Sequence, residues 1–468
     1  MSAHDYAPLV PEGILVAGAV AVLLLGSFLP RRRLPVTRWV AGAALVASAA
    51  TALGAGTGTA FAQTYALDAA TAIARVVAPL AALGVLALGA DELRRTTREA
   101  ETCALVLLGT AGTVVLAGAD DLAVLAAGYL LASVPVYALV GLAQSGRAAE
   151  AALKAYLLGA LLGAMLLLGT AVLAGVGGST GYPDLHRTLP AAPAAATAVG
   201  FVLVLAGLTF KAGAVPGHFW VPDAAQGGSA TAAAFVTTVP KVGGLLAIAR
   251  LVGVLAGVPV AAAAAVAVLA AATMTLANLA ALGQDDVRRL LGWSAVAQVG
   301  FLLMAPAALA RPGAVPALGL YLAAYTATNV VAFAVAAAHP RRRRLADWAG
   351  LAHRHPVSAA ALGVAMLGLV GTPPTAVFAA KVSVFTAAWD AGWRWLVLLA
   401  AALTVVSLAY YLRWIRAAFA TEPTDAGHDE SPVHRTAQAV AVGGSVVVLA
   451  LGPVAGPVLH ALSGPLLP

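Results

Sequence analysis

Long apolar runs separated by short polar ones dominate the chain from end to end. A bilayer's hydrocarbon core, about 30 Å thick, takes roughly 20 consecutive apolar residues as a helix. About 14 runs meet that measure: 8–29, 38–57, 69–90, 99–117, 120–143, 150–176, 193–220, 229–251, 257–281, 289–309, 315–339, 356–389, 393–419 and 436–460. The seventh and twelfth are long or interrupted, each broken by proline and glycine. No polar connection is long enough to fold alone; the largest, TEPTDAGHDESPVHR, covers 421–435. The pattern predicts an all-α integral membrane protein of about 14 transmembrane helices.

Composition points the same way. Of 468 residues, 61% are hydrophobic and 10% charged, where a soluble domain carries roughly 25% charged residues. The formal net charge of +7 would suggest nucleic acid in a soluble chain. Here the arginines flank apolar runs, so nucleic acid is not expected as a partner and the charge reads as topology. The connections after odd-numbered runs, with their flanks, hold Arg31–Arg33, Arg38, Arg94, Arg95, Arg98, Arg147, Lys154, Arg288, Arg289, Arg341–Arg344, Arg354, Arg413, Arg416 and Arg435. The connections after even-numbered runs hold Arg187, Arg250, Arg311 and Arg394. This bias makes the odd connections cytoplasmic and puts both termini outside. The start, MSAHDYAPLVPEG, has no basic stretch before its apolar run and does not read as a cleaved leader. The one cysteine, Cys103, excludes an internal disulfide, and there is no nucleotide fingerprint, no catalytic triad and no metal-ligand spacing beyond the pair His353 and His355 in a basic loop.

Three lysines lie inside apolar runs: Lys211, Lys241 and Lys381. A charge at bilayer depth costs roughly 2.5–3.5 kcal/mol on insertion scales, so such residues usually face a polar cavity and handle protons or ions. Lys211 precedes a break at Gly213, Pro216 and Gly217; Lys381 follows one at Gly371, Pro373 and Pro374. Paired interrupted helices in the two halves of a chain point to inverted repeats with the site at the breaks. Spans 4–8 and 9–13 would form two five-helix units with spans 7 and 12 in matching positions. The competing reading is a pair of proline kinks that only serve packing. Lys241 lies mid-span, where snorkelling to an interface is the alternative. Desolvation disfavours a charged amine, so a row of such lysines joined by water would pass protons.

His218, in the first break, could relay between lysines or could simply bond a freed carbonyl. Gln298, mid-span in WSAVAQVGF, can orient water but cannot hold a proton. Glu150 and Lys154 have i,i+4 spacing at the cytoplasmic start of span 6, as apt for a surface pair as for function. Glu12 reads as an interfacial acid or a partner for Arg75. Asn278, Asn329 and Ser133 read as interhelical hydrogen-bonding groups.

Five segments together give the chain a family resemblance: GLTFKAGAVPGHFWVPDAAQGG, VPKVGGLLAIAR, NLAALGQDDVRRLLGWSAVAQVGF, YLAAYTATNVVAF and GLVGTPPTAVFAAK. The chain resembles the antiporter-like membrane subunits of the respiratory NADH:quinone oxidoreductase, complex I, and among them the N subunit. The family's M subunit has a glutamate where this chain has Lys381. Its L subunit continues into a long lateral helix, whereas this sequence ends at Pro468. The cation/proton antiporter subunits of the Mrp type share the motifs. The resemblance implies a multi-pass protein of the bacterial cell (inner) membrane with two inverted five-helix repeats and broken helices 7 and 12. It implies a three-helix segment at 1–98, a first repeat at 99–251, a second at 257–419 and a C-terminal helix at 436–468. It implies proton translocation through Lys211, Lys241, Lys381 and His218, with Glu150, Lys154, Gln298 and Glu12 as possible support. The implied partners are the other membrane subunits of the complex and the lipid bilayer; quinone, flavin and iron–sulfur centres would lie on partner subunits.

Two departures matter. The family carries a fifth-span glutamate in a pattern close to ELLSLPLY; the matching LLASVPVY has Leu130 there and keeps Ser133, Pro135 and Tyr137. The family also often has a histidine where this chain has Gln298. Without that acid, Lys211 lacks a partner that would hold it protonated, and Glu12 and Asp223 are the substitutes the sequence offers. A non-pumping structural subunit on the same fold is therefore a second reading, and an Mrp-type antiporter subunit a third.

Overall fold

The computed structural model describes residues 6–54, 56–421, 432–464 and 466. The residues before Tyr6, most of the 421–435 connection, and Pro468 lie outside the described residues. Among those described, 11 helices are long and apolar enough to cross a membrane. A twelfth span results if Arg435–Leu451 and Ala455–Ala461, bent by 81°, count as one. The sequence-predicted total differs at two places. Pro35–Ala52 carries Arg38 inside its apolar stretch, and the 356–389 run divides into Pro356–Val370 and Ala376–Asp390, each of 15 residues and too short to cross alone. Among the described residues, the single sheet is a two-stranded antiparallel hairpin, Gly58–Ala60 with Tyr65–Leu67.

Several spans start where a short polar side chain takes over backbone donors that the helix leaves open. Asp68, Asp121, Ser145, Ser229 and Asp286 each accept from amides one to two residues into the following helix. Glu92 reaches from the short helix Ala90–Leu93 to the N-terminus of Ala230–Val254, accepting from the amides of Ala230 and Thr231 at 3.3 and 3.2 Å. Asp91 beside it accepts from the Thr436 amide at 3.0 Å.

Ala230–Val254 is the central helix, with its most apolar 18-residue stretch wholly buried; Val287–Ala307 and Ala314–Ala338 are nearly as enclosed. Outer helices such as Gly146–Gly177 keep Leu153, Leu157, Leu161 and Leu168 exposed, as suits a face meeting lipid or neighbouring subunits.

Both expected breaks are present. Ala194–Ala212 ends at Gly213, φ +79°, and the chain resumes as Trp220–Gly227. Pro356–Val370 ends at Gly371, φ +87°, and resumes as Ala376–Asp390. The left-handed conformation favours glycine at both positions. The two ends are capped alike: the amides of Gly213 and Ala214 bond the Thr209 carbonyl, and those of Gly371 and Thr372 bond the Leu367 carbonyl, a Schellman arrangement. Gly244 packs the central helix onto the first break. A Cβ there would sit 2.8 Å from the Ala212 amide nitrogen, so the approach requires glycine.

Candidate functional site

Breaks and prolines leave carbonyls without helical donors, and at bilayer depth these must be satisfied from elsewhere. The lysines are placed where that happens. Pro240, inside the central helix, has no amide for the carbonyl four residues back, Val236. The neighbouring Lys241 curls back and donates its Nζ to that carbonyl at 3.0 Å. In the second break, the cap leaves the last carbonyls of Pro356–Val370 open. Lys381 Nζ donates to Val370 O at 2.9 Å, and Gln298 Nε2 to Leu369 O at 2.8 Å. In the first break Trp220 Nε1 donates to the Phe210 carbonyl at 3.2 Å.

Lys211 has a different partner. Its Nζ donates to Ser133 Oγ at 2.6 Å, while that hydroxyl donates to the Tyr129 carbonyl. Aromatic faces complete each site: Tyr129 at 5.0 Å from Lys211, Trp220 at 5.9 Å from Lys241 and Phe301 at 4.2 Å from Lys381. All three lysines are at most 4% exposed, so none snorkels to a surface. No carboxylate pairs with any of them among the described residues.

A polar ladder runs between the second and third amines. Tyr325 donates to the Thr237 carbonyl at 2.5 Å, one residue on from Lys241's partner, and Asn329 donates to Thr237 Oγ1 at 2.9 Å. One turn earlier on the same helix, Tyr321 donates to Gln298 Oε1 at 2.7 Å. Gln298 then reaches the carbonyl next to Lys381's partner. Tyr411 lies against Gln298 and bonds Ser294 at 2.5 Å. The tyrosines were missed from sequence; their signal is the i,i+4 spacing of Tyr321 and Tyr325 within an apolar run.

His218 is buried in the first break with Phe219 and Trp293 against its ring, at centroid distances of 4.1 and 5.6 Å. Neither ring nitrogen makes a hydrogen bond of good geometry, but the ring interacts with the Pro216 backbone of the same break. Glu150 and Lys154 pair at 2.7 Å, as their spacing suggests. The second partner of Lys154 is Asp223, at 3.0 Å, whose other oxygen holds Arg289 at 2.5 Å. The group lines a polar cavity of about 230 Å³ at the end of Trp220–Gly227. Glu12 pairs with Arg75 at 2.7 Å and also accepts from Tyr65 at 2.6 Å. Neither suggested substitute acid is therefore available to Lys211. Leu130 lies one turn before Ser133 but is 50% exposed, on the outward face of its helix. Asn278 and Asn329 bond across helices as expected, Asn278 accepting from Tyr410 at 3.0 Å.

The profile of the family described as NADH:quinone oxidoreductase/Mrp antiporter, TM, matches residues 119–407. NADH-quinone oxidoreductase subunit N of Mycobacterium sp. (strain JLS) is 50% identical over 459 residues, covering 96% of each chain. A chain of respiratory complex I from Thermus thermophilus with bound aureothin superposes with a TM-score of 0.83 at 32% identity, covering 97% of this chain and 99% of that one. A chain of the Mrp complex from Dietzia sp. DQ12-45-1b shares the fold, with a TM-score of 0.84 at 24% identity, covering 99% and 97%. With membrane subunits of multi-subunit assemblies as its relatives, the chain belongs to the NADH:quinone oxidoreductase/Mrp antiporter family of membrane proteins, within its NADH-quinone oxidoreductase subunit N group.

Proposed function

We propose that this chain is a membrane-arm subunit that translocates protons through Lys211, Lys241 and Lys381, driven by quinone reduction in partner subunits. The observation that carries this reading is the kind of partner each amine has. All three are buried, and each donates to a neutral oxygen: a hydroxyl for Lys211, a carbonyl for the other two. A carboxylate partner would hold an amine in its charged form. A carbonyl or hydroxyl accepts from –NH₃⁺ and –NH₂ alike, so the contact survives loss of the proton. The Tyr325–Thr237 and Tyr321–Gln298–Leu369 bonds supply polar groups between Lys241 and Lys381, where water could carry a proton from one to the other. His218, between the first break and Trp293, is placed to take part.

The finer architecture belongs to this proposal. Counting Pro35–Ala52 and the broken pair 356–390 as spans gives fourteen. Repeats at 99–251 and 257–419 follow, flanked by the segments 1–98 and 436–468, with both termini outside. The electron carriers and the quinone chamber lie on partner subunits in this reading; one cysteine cannot bind an iron–sulfur cluster.

In the assembled complex, Lys381→Ala is expected to abolish proton pumping while quinone reduction persists at a reduced rate. Normal pumping in that variant rejects the proposal. A non-pumping structural role has one observation in its favour, the absence of a carboxylate beside Lys211 with Leu130 at the family's acid position. That reading wins if Leu130→Glu changes the proton stoichiometry while Lys211→Ala does not. Sodium-dependent ion exchange without quinone chemistry would instead favour an Mrp-type role.

A further inference from the structure

The central helix carries a second buried charge, Arg250, nine residues after Lys241 and so about 13 Å further along the axis. Its Nε donates to the Ala117 carbonyl at 2.6 Å; one terminal nitrogen donates to Asp68 at 2.6 Å and to Thr71 Oγ1 at 3.0 Å. The other terminal nitrogen has no partner. Close by, Asp120 is 1% exposed and neither of its carboxylate oxygens has a hydrogen-bond partner. Its backbone is fixed on both sides, the amide to Thr64 O and the carbonyl to the Tyr182 amide, each at 2.9 Å. The buried Tyr182 hydroxyl also lacks a partner. Three buried polar groups of different chemistry, each with an atom lacking a partner, thus lie within electrostatic reach of one another. Buried groups of this kind normally find a partner, and water is the one that suits an acid, a guanidinium and a phenol together.

The charges facing Asp120 come from three elements: Arg250 of the central helix, Asp68 at the start of Ala69–Leu88, and its neighbour Asp121. Arg250 is already matched by Asp68, and Asp121 is committed to capping its helix and to Thr180. Asp120 is therefore a buried acid without a counter-ion of its own. Burial pushes its carboxyl up to about 7; Arg250 opposes the shift, while Asp68 and Asp121 reinforce it. Asp68 and Thr71, the partners of Arg250, line a cavity of about 190 Å³ with Arg75. Its walls also include residues 56–57 and 461–464, on the face assigned to the outside.

We infer that Asp120, with Arg250 and Tyr182, forms a proton-exchange site at the outer end of the first repeat, passing protons between the protein interior and water in the cavity at Asp68. The inference rests on the translocation reading above. In each exchange the Asp120 carboxyl gives its proton to a water molecule and the resulting carboxylate is reprotonated from the interior. Arg250 stabilises the transient anion, and Tyr182 orients the water.

The test uses the purified complex and membranes containing it, with Asp120→Asn as a near-isosteric variant and Tyr182→Phe as a second. The pH-difference infrared spectrum of wild type should show a protonated-carboxyl band that titrates near neutrality and is missing from Asp120→Asn. Asp120→Asn should lower the protons moved per electron pair while quinone reduction continues, and Tyr182→Phe should lower them less. A carboxyl already ionised throughout neutral pH overturns the inference, as does Asp120→Asn pumping at the wild-type ratio. Lys381→Ala separates the two claims. If that variant still pumps, the translocation reading fails whatever the infrared band shows; if the band is missing while Lys381→Ala stops pumping, only the Asp120 site fails.

Discussion

Pro240 and Lys241 are adjacent, and each accounts for the other. The proline removes the donor for Val236, and the lysine restores one. A buried carbonyl left unpaired costs about 1–3 kcal/mol, so Lys241→Met should destabilise the subunit by about that much. In a Pro240→Ala background the helix supplies its own donor, and the same Lys241→Met change should cost less. The two substitutions are thus expected to be non-additive by about 1 kcal/mol, read from thermal unfolding of the four proteins in detergent. Strict additivity would mean that the amine is not held by that carbonyl. Asp120 makes a pH-dependent prediction of the opposite kind to a salt-bridged acid. Folded, it keeps its proton up to about 7, against an ordinary value of 3.8. Between those two values the unfolded chain binds fewer protons, so this group's contribution to stability falls as pH rises through the window and is level above it. Asp120→Asn should flatten that part of the profile. At this scale the sequence disclosed the rare residues but not what they touch. Three lysines in apolar runs could be read directly, as could the suitability of Glu12 for Arg75. That Asp223 serves Lys154 and Arg289 instead of Lys211, and that Asp120 lies beside Arg250, depends on contacts between helices more than 60 residues apart, which no local pattern encodes.

At the level of elements, the breaks were legible because proline and left-handed glycine have few uses inside a helix. Both Gly213 and Gly371 end their helices as GAVPG and GTPP suggest. Fourteen apolar runs became 11 or 12 spanning helices by length and composition because a run is not a helix: the second carries Arg38 in its apolar stretch, the twelfth divides at its break, and the last bends by 81° near Gly452 and Pro453. The short helix Ala90–Leu93 was not foreseen at all. It contains two acids and caps two distant helices, Asp91 the C-terminal Arg435–Leu451 and Glu92 the central Ala230–Val254. The sequence DEL carries no sign of this, since the capped amides are 138 and 345 residues away. Glu92 is an anion placed at a helix N-terminus, where open amides and the helix dipole both favour it. Glu92→Ala should lower stability by about 1–2 kcal/mol. Because the capped helix carries Lys241, the variant should also loosen that helix's first turns, visible as faster amide exchange at Thr231–Phe235. Unchanged exchange there, with lowered stability, would place the effect elsewhere.

Across the whole molecule, the connections sort into two sets that, among the described residues, bond within each set. Residues of odd connections bond one another: Val287 with Arg343, Leu345 with Asp285, Gly350 with Ala420, and Arg343 with Gln226. Residues of even connections and of the run ends beside them do the same: Asp120 with Thr64, Leu122 with Thr180, and Trp393 with Ala307. Such segregation is what the proposed fourteen crossings would produce, with each of the two broken runs crossing as one. Arginines on the odd side are partly neutralised, with Arg289, Arg343 and Arg413 paired to Asp223, Asp286 and Asp285. The orientation rule depends on lysine and arginine counts and only weakly on acids, so this pairing does not weaken it. The odd side should therefore be cytoplasmic. Cys103 is buried, which leaves a silent background for introduced thiols. Thr57 lies just past the end of Pro35–Ala52, on the even side, and Ala143 just past the end of Leu122–Gly141, on the odd side, and both are exposed. A membrane-impermeant maleimide should label Thr57→Cys but not Ala143→Cys in right-side-out membranes, and the reverse in inverted vesicles. The opposite pattern would turn the molecule over, moving the Asp68 cavity to the cytoplasmic face and the Glu150–Lys154–Asp223 cavity to the outer one. Labelling of both from one side would break the alternation on which the assignment of either face depends.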